Sequence, residues 1–517
     1  MAISPLKAMN GERAVVLIFV LRVLSSLPLA LLPHALSLSL LSLFSLVVEI
    51  RVDNSPSLFK TRPGASSGII LGAVTLPTVM LSKLIQLSRA VSLQQIEIGV
   101  TWCAANNKNP HFSCGVWDAK FSLSCVILYS AVCCISLASI SHSGELVVLS
   151  WFYVFQFMHR ISCEGEANLV TSGLVLYFGD MLACTISKVC RLLIPPELVS
   201  IRYGIKRSEI GIVIQGVLLG LLIFSAVFKF LIHLWEYFWG ANNSESRERK
   251  EIWRSLIFLT SLGFIMITVA PSWMMIVLDF DVHPVLWIFQ FIFSEPFKRL
   301  SLCIYWLVLI YASVLRFYNI SKDSKIERIL LRKYYHLLAV LMFLPALIYQ
   351  PKFLDLAFGA ALAVFLVLEI IRVWRIWPLG QLVHQFMSAF TDHRDSDLII
   401  VSHFSLLLGC ALPIWMSSGF NDRPLTPFAG ILSLGIGDTM QISYTSEKTI
   451  EGTAAGITSV LAACSVLLPL LASTGYFLTQ HWFPIFIAVT TSGLLEAYTT
   501  QLDNAFIPLV FYSLLCL

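Results

Sequence analysis

The sequence predicts an all-α, polytopic transmembrane helical bundle, and three observations support that prediction. Hydrophobic residues make up 57% of the 517 residues, charged residues make up 13%, and the mean hydropathy is +0.80. A soluble domain carries about 25% charged residues, so a soluble globular chain and a disordered chain are both excluded. The apolar residues form continuous runs of roughly the 20 residues that cross a bilayer, without the alternation typical of a transmembrane β-barrel.

The apolar runs, taken in chain order, predict about 13–16 membrane helices. Because lipid offers no partner for backbone N–H and C=O groups, a helix is the only structure expected for each run. The first run is longer than the core of a signal peptide, about 7–15 residues. It also contains Pro28 and Pro33, so we expect one or two retained spans there. The runs are 14–48, 67–87, 122–140, 145–158, 168–190, 210–236, 255–278, 284–295, 302–318, 336–350, 353–371, 398–416, 427–442, 454–477, 483–499 and 504–517.

The charge balance and the cysteines exclude several classes of protein. Lysine and arginine total 35 against 31 aspartates and glutamates, which gives a net charge of +4. That surplus is too small to indicate a nucleic-acid partner. The twelve cysteines include no CxxC pair, so neither a zinc site nor a thioredoxin-like site is predicted. We expect most of them to be small apolar residues inside helices.

The polar loops predict the orientation of the helices. The loop 316–333 carries six basic and two acidic residues, and an excess of lysine and arginine marks the cytoplasmic side of a membrane. Two apolar runs separate this loop from 372–397, two more lead to 443–453, and another two lead to 500–504. An even number of spans returns the chain to the same side, so all four segments are expected to face the cytoplasm.

Ionisable residues in or beside the predicted spans are concentrated in the last third of the chain. We therefore divide the chain into an N-terminal transmembrane bundle, 1–310, and a C-terminal catalytic membrane domain, 311–517. Inserting an ionised side chain costs about 2.5–3.5 kcal/mol, so each one needs a partner or a function. Glu369 and Arg372 stand three residues apart on one helix face. They form either an ion pair that neutralises itself or the support of a site at the membrane mouth.

Acidic and basic positions near the predicted cytoplasmic ends indicate a metal–nucleotide site. Asp438 follows the glycines of GIGD; a carboxylate there suits Mg²⁺, which takes one or two carboxylates together with substrate phosphates, and it would equally suit a helix cap. The segment 448–453, KTIEGT, offers a cation, hydroxyls and a glycine, as a phosphate site at a helix N-terminus would; an ordinary cap would look similar. Glu496 and Asp503 stand seven residues apart and are expected to share a helix face.

Motifs of soluble nucleotide enzymes are missing. The chain contains no Gly-Lys dipeptide and hence no P-loop. It contains no Asp-Gly dipeptide either, which excludes the membrane transferases that join CDP-alcohols to acceptors. His393-Arg394-Asp395 spells the catalytic loop of protein kinases, but Ile400 occupies the position where that loop needs asparagine. We interpret this tripeptide as a coincidence.

The residues from about 330 onward resemble the dolichol kinases, which are CTP-dependent polyprenol kinases of the endoplasmic reticulum. The resemblance implies transfer of the γ-phosphoryl group of CTP to dolichol, giving dolichyl phosphate and CDP, at the cytoplasmic face of that membrane. Dolichyl phosphate is the lipid carrier for protein N-glycosylation. The matching segments are RKYYH (332–336), LEIIRVWRIWPLG (368–380), FTDHRDSDLIIVSHFSLLLGCALPIW (390–415), GIGDT (435–439), KTIEGT (448–453) and LLEAYTTQLDN (494–504).

The resemblance and the positions of the charges together predict roles for individual residues. The catalytic residues are expected to be Asp438, Glu496 and Asp503; Asp438 with Asp503 or Glu496 would hold Mg²⁺ or another divalent cation, and Glu496 or Asp503 would accept the dolichol proton. The expected CTP-binding residues are Lys448, Thr449, Glu451, Gly452, Thr453 and Ser459. The expected supporting residues are Arg332, Lys333, His336, Glu369, Arg372 and Asp395.

One segment departs from the family pattern. Between GDT and KTIEG the family has a longer stretch that includes basic residues, whereas here only 440–447, MQISYTSE, intervenes. Glu447 also stands where the family has a lysine. We expect weaker neutralisation of the triphosphate, and therefore an enzyme with impaired activity.

Three other functions stay open at this point. Two of them use the same nucleotide: another CTP-dependent prenol kinase, and a cytidylyltransferase that makes CDP-lipids. The third is a polytopic transporter. Transporters commonly contain inverted repeats, and this sequence shows no internal repeat.

The topology can be checked by cysteine-accessibility labelling in a variant that lacks reactive native cysteines. Lys325→Cys and Lys448→Cys are both expected to react from the cytoplasmic side of sealed vesicles, because an even number of spans separates the two positions. Ser418→Cys, in the uncharged turn 417–427, is the control and is expected to react from the opposite side. Labelling of positions 325 and 448 from opposite sides would contradict the topology.

Overall fold

The computed structural model of the chain describes residues 10–54, 66–101, 112–143, 164–193, 208–239, 247–322, 328–388, 401–417, 423–441, 449–473 and 482–517. These residues form helices joined by turns, and none of them lies in a β-strand. Eight of the described helices are long and apolar enough to cross a membrane, and five shorter described helices are apolar as well. The prediction of an all-α polytopic bundle is confirmed.

The helices are numbered here in chain order. The N-terminal ones are α1 (Gly11–Leu24), α2 (Leu32–Asp53), α3 (Ile69–Thr101), α4 (Phe112–Ser143), α5 (Glu164–Leu193) and α6 (Glu209–Trp239). The middle ones are α7 (Arg247–Phe264), which continues through a π-turn (Ile265–Val269) into α8 (Ala270–Val277), then α9 (Pro284–Ser294), α10 (Pro296–Lys322), α11 (Arg328–Tyr349), α12 (Pro351–Trp374) and α13 (Leu379–Ser388). The last ones are α14 (Val401–Ser417), a π-helix (Ile431–Asp438), α15 (Ile450–Ser473), α16 (Trp482–Tyr498) and α17 (Asp503–Leu515).

Most of the apolar runs correspond to one of these helices. The first run, 14–48, becomes two helices, because α1 ends before Pro28 and α2 begins anew at Leu32. Pro33 lies in the first turn of α2, where proline is tolerated because its missing N–H would have no intrahelical partner. The run 145–158 lies outside the described residues.

Helix α13 differs from the sequence prediction, which has a polar loop over 372–397. The charges of that segment lie at its two ends, and α13 itself contains no aspartate, glutamate, lysine or arginine. Leu382 is 64% exposed, whereas Met387 is buried. A short helix with an exposed apolar face is typical of segments that lie in the plane of a membrane interface.

One hydrophobic core runs through both halves of the chain. Phe19 of α1 and Leu71 of α3 belong to the same buried cluster as Phe511 of α17. The apolar window of α3 is 94% buried, and Ser82 Oγ of α3 lies 2.7 Å from Ser513 Oγ of α17. The division near residue 310 therefore stays a prediction about sequence pattern, because helices from both sides of it share one core.

His336, Asp438 and the ends of two helices that carry predicted site residues lie at one end of the bundle. Helices α11 and α12 run antiparallel about Gln350, with the rings of Phe343 and Phe358 4.6 Å apart, so the start of α11 and the end of α12 lie at the same end. His336, in the early turns of α11, contacts Asp438 at the end of the π-helix. We call this end of the bundle the site end.

Candidate functional site

The GIGDT motif forms the end of the π-helix and packs tightly against α11. π-Helical turns, with i→i+5 hydrogen bonds, are rare and frequently occur at functional sites. A Cβ atom on Gly435 would lie 2.2 Å from Val340 Cγ2 of α11. The bare backbone of Gly435 therefore allows a contact that brings Asp438 to the face of α11.

Asp438 is held by the early turns of α11. The Nδ1 atom of His336 contacts Oδ2 of Asp438, and the two side chains are 2% and 20% exposed respectively. Three residues before His336, Lys333 Nζ donates a hydrogen bond to the backbone oxygen of Gln441. Asp438 is the last residue of the π-helix and Thr439 is its C-cap, so Asp438 does not take the helix-cap role that the sequence left open. The result is a fixed carboxylate that stays partly accessible.

A small cleft adjoins Asp438 between the π-helix, α15, α16 and α17. It holds a space of about 20 Å³, and its lining includes Gln441, Ser492 and Glu496. Glu496 is buried, and its Oε2 lies 3.9 Å from the position that a Cβ atom would take on Gly437. The buried atoms Gln441 Nε2 and Ser492 Oγ have no hydrogen-bond partner among the described residues. Buried polar atoms are normally paired, so these two atoms suit a water molecule or a single oxygen atom of a polar ligand.

The predicted CTP segment forms the N-terminus of α15 next to the π-helix. Thr449 Oγ1 accepts a hydrogen bond from the backbone N–H of Gly452 at 3.1 Å, and Thr453 Oγ1 donates to the backbone oxygen of Thr449 at 3.1 Å. The cap interpretation of Thr449 is therefore confirmed. A Cβ atom on Gly456 would lie 2.7 Å from Gln441 Cγ, so the capped N-terminus lies beside the segment that follows Asp438, where phosphate binding is also expected.

The remaining predicted CTP-binding and supporting residues are less directly placed. Glu451 is exposed in the first turn of α15. Ser459 lies further along the helix, and its hydroxyl donates to the backbone oxygen of Ala455 at 2.7 Å. Lys448 and Asp395 lie outside the described residues, and Arg332 is described only as part of α11.

Glu369 and Arg372 form a two-point ion pair in the last turns of α12. Arg372 Nε lies 2.8 Å from Glu369 Oε2, and Nη2 lies 2.7 Å from Oε1. Both side chains are buried, and two buried charges are tolerated only with such close, hydrogen-bonded geometry. The interpretation as a self-neutralising pair is confirmed, and it places that pair at the site end.

Glu496 and Asp503 lie on two different helices, which corrects the expectation of a shared helix face. Helix α16 ends at Tyr498 and α17 begins at Asp503. A seven-residue spacing places two side chains on one face only if the helix is continuous. Here the chain turns instead, and Leu502 donates its N–H to Glu166 of α5 at 2.9 Å. Nothing in the sequence pattern indicates this long-range partner.

The predicted magnesium ligands fit a nucleotide-bound cation better than a cage of protein ligands. Among the described residues there is no group of three or more His, Cys, Asp or Glu side chains that could hold a metal. Mg²⁺ carried by a nucleotide needs only one or two protein carboxylates, because phosphates and water supply its other ligands. Asp438 and the unpartnered polar atoms of the cleft suit that arrangement. The pairing of Asp438 with Asp503 stays a prediction.

The sequence analysis did not identify Gln441 and Ser492 as residues of the candidate site, and it assigned His336 only a supporting role. Gln441 and Ser492 line the cleft but carry no charge that would single them out. The available signal was spacing, since Ser492 precedes Glu496 by four residues and therefore shares its helix face. His336 was expected only to support the site, yet it contacts Asp438 directly.

Known proteins similar to this chain are dolichol kinases. The family model described as dolichol kinase matches residues 138–435. The chain is 56% identical to dolichol kinase EVAN of Arabidopsis thaliana over 98% of each chain, and 29% identical to dolichol kinase of Homo sapiens over 90% of this chain and 88% of the human one. It is 30% identical to dolichol kinase sec59 of Schizosaccharomyces pombe over 45% of this chain and 50% of that one. No solved structure matches the chain.

The close packing of Gly435 leads to a stability prediction. Gly435→Ala is expected to lower the free energy of unfolding by about 1–3 kcal/mol, the usual cost of overpacking, because its Cβ would overlap Val340 Cγ2. Adding Val340→Ala removes that atom and is expected to restore part of the stability. Thermal unfolding of the detergent-solubilised protein measures both effects.

Gly263→Ala in α7 is the matched control, since nothing lies within 4 Å of a Cβ atom there. This control is expected to be neutral or slightly stabilising, because alanine favours helix over glycine. A decrease in the stability of the control as large as that of Gly435→Ala would show that the π-helix contact is not the cause.

Proposed function

The chain belongs to the dolichol kinase family, and we propose that it transfers the γ-phosphoryl group of CTP to dolichol at the cytoplasmic face of the endoplasmic reticulum membrane. Phosphorylation of dolichol is the activity of the family. Beyond that activity, we propose that the phosphoryl donor is CTP with Mg²⁺, that the membrane is the endoplasmic reticulum, and that the site faces the cytoplasm. The products would be CDP and dolichyl phosphate, the lipid carrier for protein N-glycosylation.

The observation that best supports the site is the meeting of Asp438, the capped N-terminus of α15 and the small cleft at one end of the bundle. A helix N-terminus presents backbone N–H groups and a positive dipole end to phosphate. A carboxylate beside it lies where a cation could bridge protein and nucleotide. The site end also suits both substrates, because CTP arrives from water and the hydroxyl group of dolichol lies at the membrane surface.

The residues of the site take distinct proposed roles. Asp438, held by His336, would bind the cation together with Glu496 or Asp503. When bound, Mg²⁺ neutralises charge on the transferring phosphoryl group. Of the two carboxylates considered as acceptor of the dolichol proton, we favour Glu496, because it lines the cleft. Phosphoryl transfer depends mainly on positioning and electrostatics, which a rigid helical site can provide.

The cytoplasmic orientation is supported by the charge of the segment 316–333, which the sequence predicts as a loop and which runs from the end of α10 to the start of α11. Its six basic and two acidic residues favour the cytoplasmic side. Since Asp438 contacts α11 near that loop, the same bias applies to the site. The endoplasmic reticulum is proposed from the family resemblance.

The reaction can be tested with membranes that contain the chain, dolichol and CTP labelled in either the α or the γ phosphate. We expect the γ label, and not the α label, to enter the lipid. Lipid carrying the α label would indicate a cytidylyltransferase, and preferential labelling of short prenols would indicate another prenol kinase. Lipid labelling no higher than in membranes without the chain would contradict a kinase altogether.

Replacement of the central carboxylate is the first mutational prediction. Asp438→Asn is expected to lower turnover by about 100-fold or more, because removing charge stabilisation from a transition state typically costs that much. The chain should still fold. Asp279→Asn is the control, since Asp279 forms only an exposed ion pair with Lys188 at 2.7 Å, and such pairs contribute little. Near-parental turnover of Asp438→Asn at saturating Mg²⁺ would make Asp438 a structural residue.

The short segment 440–447 leads to a second prediction. The alignment with the Arabidopsis relative spans 560 positions, more than the 517 residues of this chain, so the relative holds residues that this chain lacks. Each basic side chain that is missing beside the triphosphate is expected to weaken CTP binding about 10- to 150-fold.

Insertion of about ten residues rich in lysine and arginine between Gln441 and Lys448 should supply at least one such side chain and bind CTP about tenfold more tightly. An insertion of the same length made of glycine and serine is the control, because it changes reach without adding charge. Equilibrium binding of CTP measures the difference. Equal affinity of the basic and neutral insertions would contradict the charge argument.

A further inference from the structure

Three of the four residues in the turn between α16 and α17 are buried, and only Thr500 is exposed, although the turn joins two helices at the site end. Thr499 and Gln501 are each 1% exposed, and Leu502 is 8% exposed. The turn directly precedes Asp503, one of the residues proposed to bind the cation. Whatever covers the turn therefore determines where α17 begins and where the carboxylate of Asp503 lies.

The cover comes from three separate segments of the N-terminal bundle. Glu166 of α5 accepts, through Oε1, the backbone N–H of Leu502 at 2.9 Å. Gln501 Nε2 donates to the backbone oxygen of Ser66 at 2.9 Å. Ser66 Oγ in turn donates to Glu12 Oε1 at 2.9 Å. Residues more than 300 positions earlier in the chain thus hold the turn.

The contact of Glu166 takes the place of a helix cap. Leu502 is the N-cap of α17, and its apolar side chain makes no capping hydrogen bond. In a capping box, the N–H of the N-cap residue is accepted by a glutamate or glutamine three residues into the helix. In α17 that position is Ala505, which has no acceptor. Glu166 supplies the missing carboxylate from another helix.

A buried ion pair holds the backbone at the start of α3, next to Ser66, which contacts the turn. Arg13 Nε lies 2.7 Å from Glu49 Oε1, and Arg13 also contacts Asp53. Glu49 Oε2 accepts the backbone N–H of Ile70 at 2.7 Å, and Asp53 Oδ1 accepts that of Ser67 at 3.1 Å. Separating these buried charges would leave each of them uncompensated, which is strongly unfavourable. Arg13, Glu49 and Asp53 are therefore expected to stay in place. The start of α3 is therefore a rigid partner for the turn.

We propose that Glu166 is a positioning residue: it fixes the start of α17 and, through it, the carboxylate of Asp503. The N-terminal bundle is thereby part of the framework of the catalytic site. This inference rests on the proposed role of Asp503 in cation binding. A misplacement of about 1 Å can cost about 100-fold in rate, so removal of the Glu166 acceptor acts on cation binding and turnover even in a folded chain.

The test compares Glu166→Ala with Glu166→Gln, because glutamine keeps an oxygen acceptor at the same place. Binding of Mn²⁺ in the presence of CDP, followed by electron paramagnetic resonance, reports on the cation site without turnover. Glu166→Ala is expected to weaken Mn²⁺ binding about tenfold or more, and Glu166→Gln by less than about threefold. Hydrogen exchange of the backbone over 499–506 is expected to rise in the alanine variant only.

Asp180→Ala is the matched control on the same helix. Asp180 Oδ2 also accepts a hydrogen bond, from Gln215 Nε2 at 2.6 Å, but it lies about 21 Å along α5 from Glu166. Asp180→Ala is expected to leave Mn²⁺ affinity unchanged. If Glu166→Ala fails to fold, Glu166→Asp, which withdraws the carboxylate by one methylene, replaces it with an expected shift in the same direction.

Asp503→Asn separates this inference from the proposed function. If Asp503→Asn leaves Mn²⁺ affinity unchanged, the role of Asp503 in the site is wrong and the inference is overturned with it. If Asp503→Asn weakens binding while Glu166→Ala matches the parent, only the positioning role is wrong. Glu166→Ala combined with Asp503→Asn is expected to bind no more weakly than Asp503→Asn alone, since both changes act through one carboxylate. Additive effects of the two changes would overturn the inference.

Discussion

The cost of burying charge in an apolar bundle is the constraint on which the rest of this structure depends. With 13% charged residues in a chain that is 57% hydrophobic, an ionised group inside the bundle has little water or polar surface near it. Its charge must then be balanced by a partner, since an isolated buried ion is strongly unfavourable. Arg13 with Glu49 and Arg372 with Glu369 are such partners. The first pair joins α1 to α2, and the second lies within the last turns of α12, at the site end.

The pair of His336 and Asp438 meets the same constraint in a different way. His336 is fully buried, whereas the Asp438 side chain keeps a fifth of its surface exposed. The histidine fixes the carboxylate without enclosing it, so a ligand can still reach it. Gln441 Nε2 and Ser492 Oγ line the adjoining cleft and are buried without hydrogen-bond partners among the described residues. Buried polar atoms without a partner occur elsewhere among the described residues as well, so it is the position of these two in the cleft that supports a ligand site.

Close backbone packing turns these residues into one rigid site. The π-helix touches α11 at Gly435, and α15 touches Gln441 at Gly456, in both cases at distances that a side chain would prevent. The N-terminal bundle then encloses the turn before α17 through Glu166 and Ser66. A reaction that depends on positioning benefits from such packing, because the charges are already in place before the substrates arrive. The single core that joins both halves of the chain is the structural basis of that rigidity.

The sequence by itself determined the fold class, the approximate positions of most helices and the motifs that identify the family. These are local properties. An apolar run of membrane length can only be a helix, and GIGDT and KTIEGT are each recognised from a few consecutive residues. Only the tertiary structure decided that Glu496 and Asp503 lie on separate helices. It also decided that His336 contacts Asp438 and that Glu166 accepts the N–H of Leu502. Those contacts join residues up to 336 positions apart, and hydrophobic periodicity carries no information about which helices become neighbours.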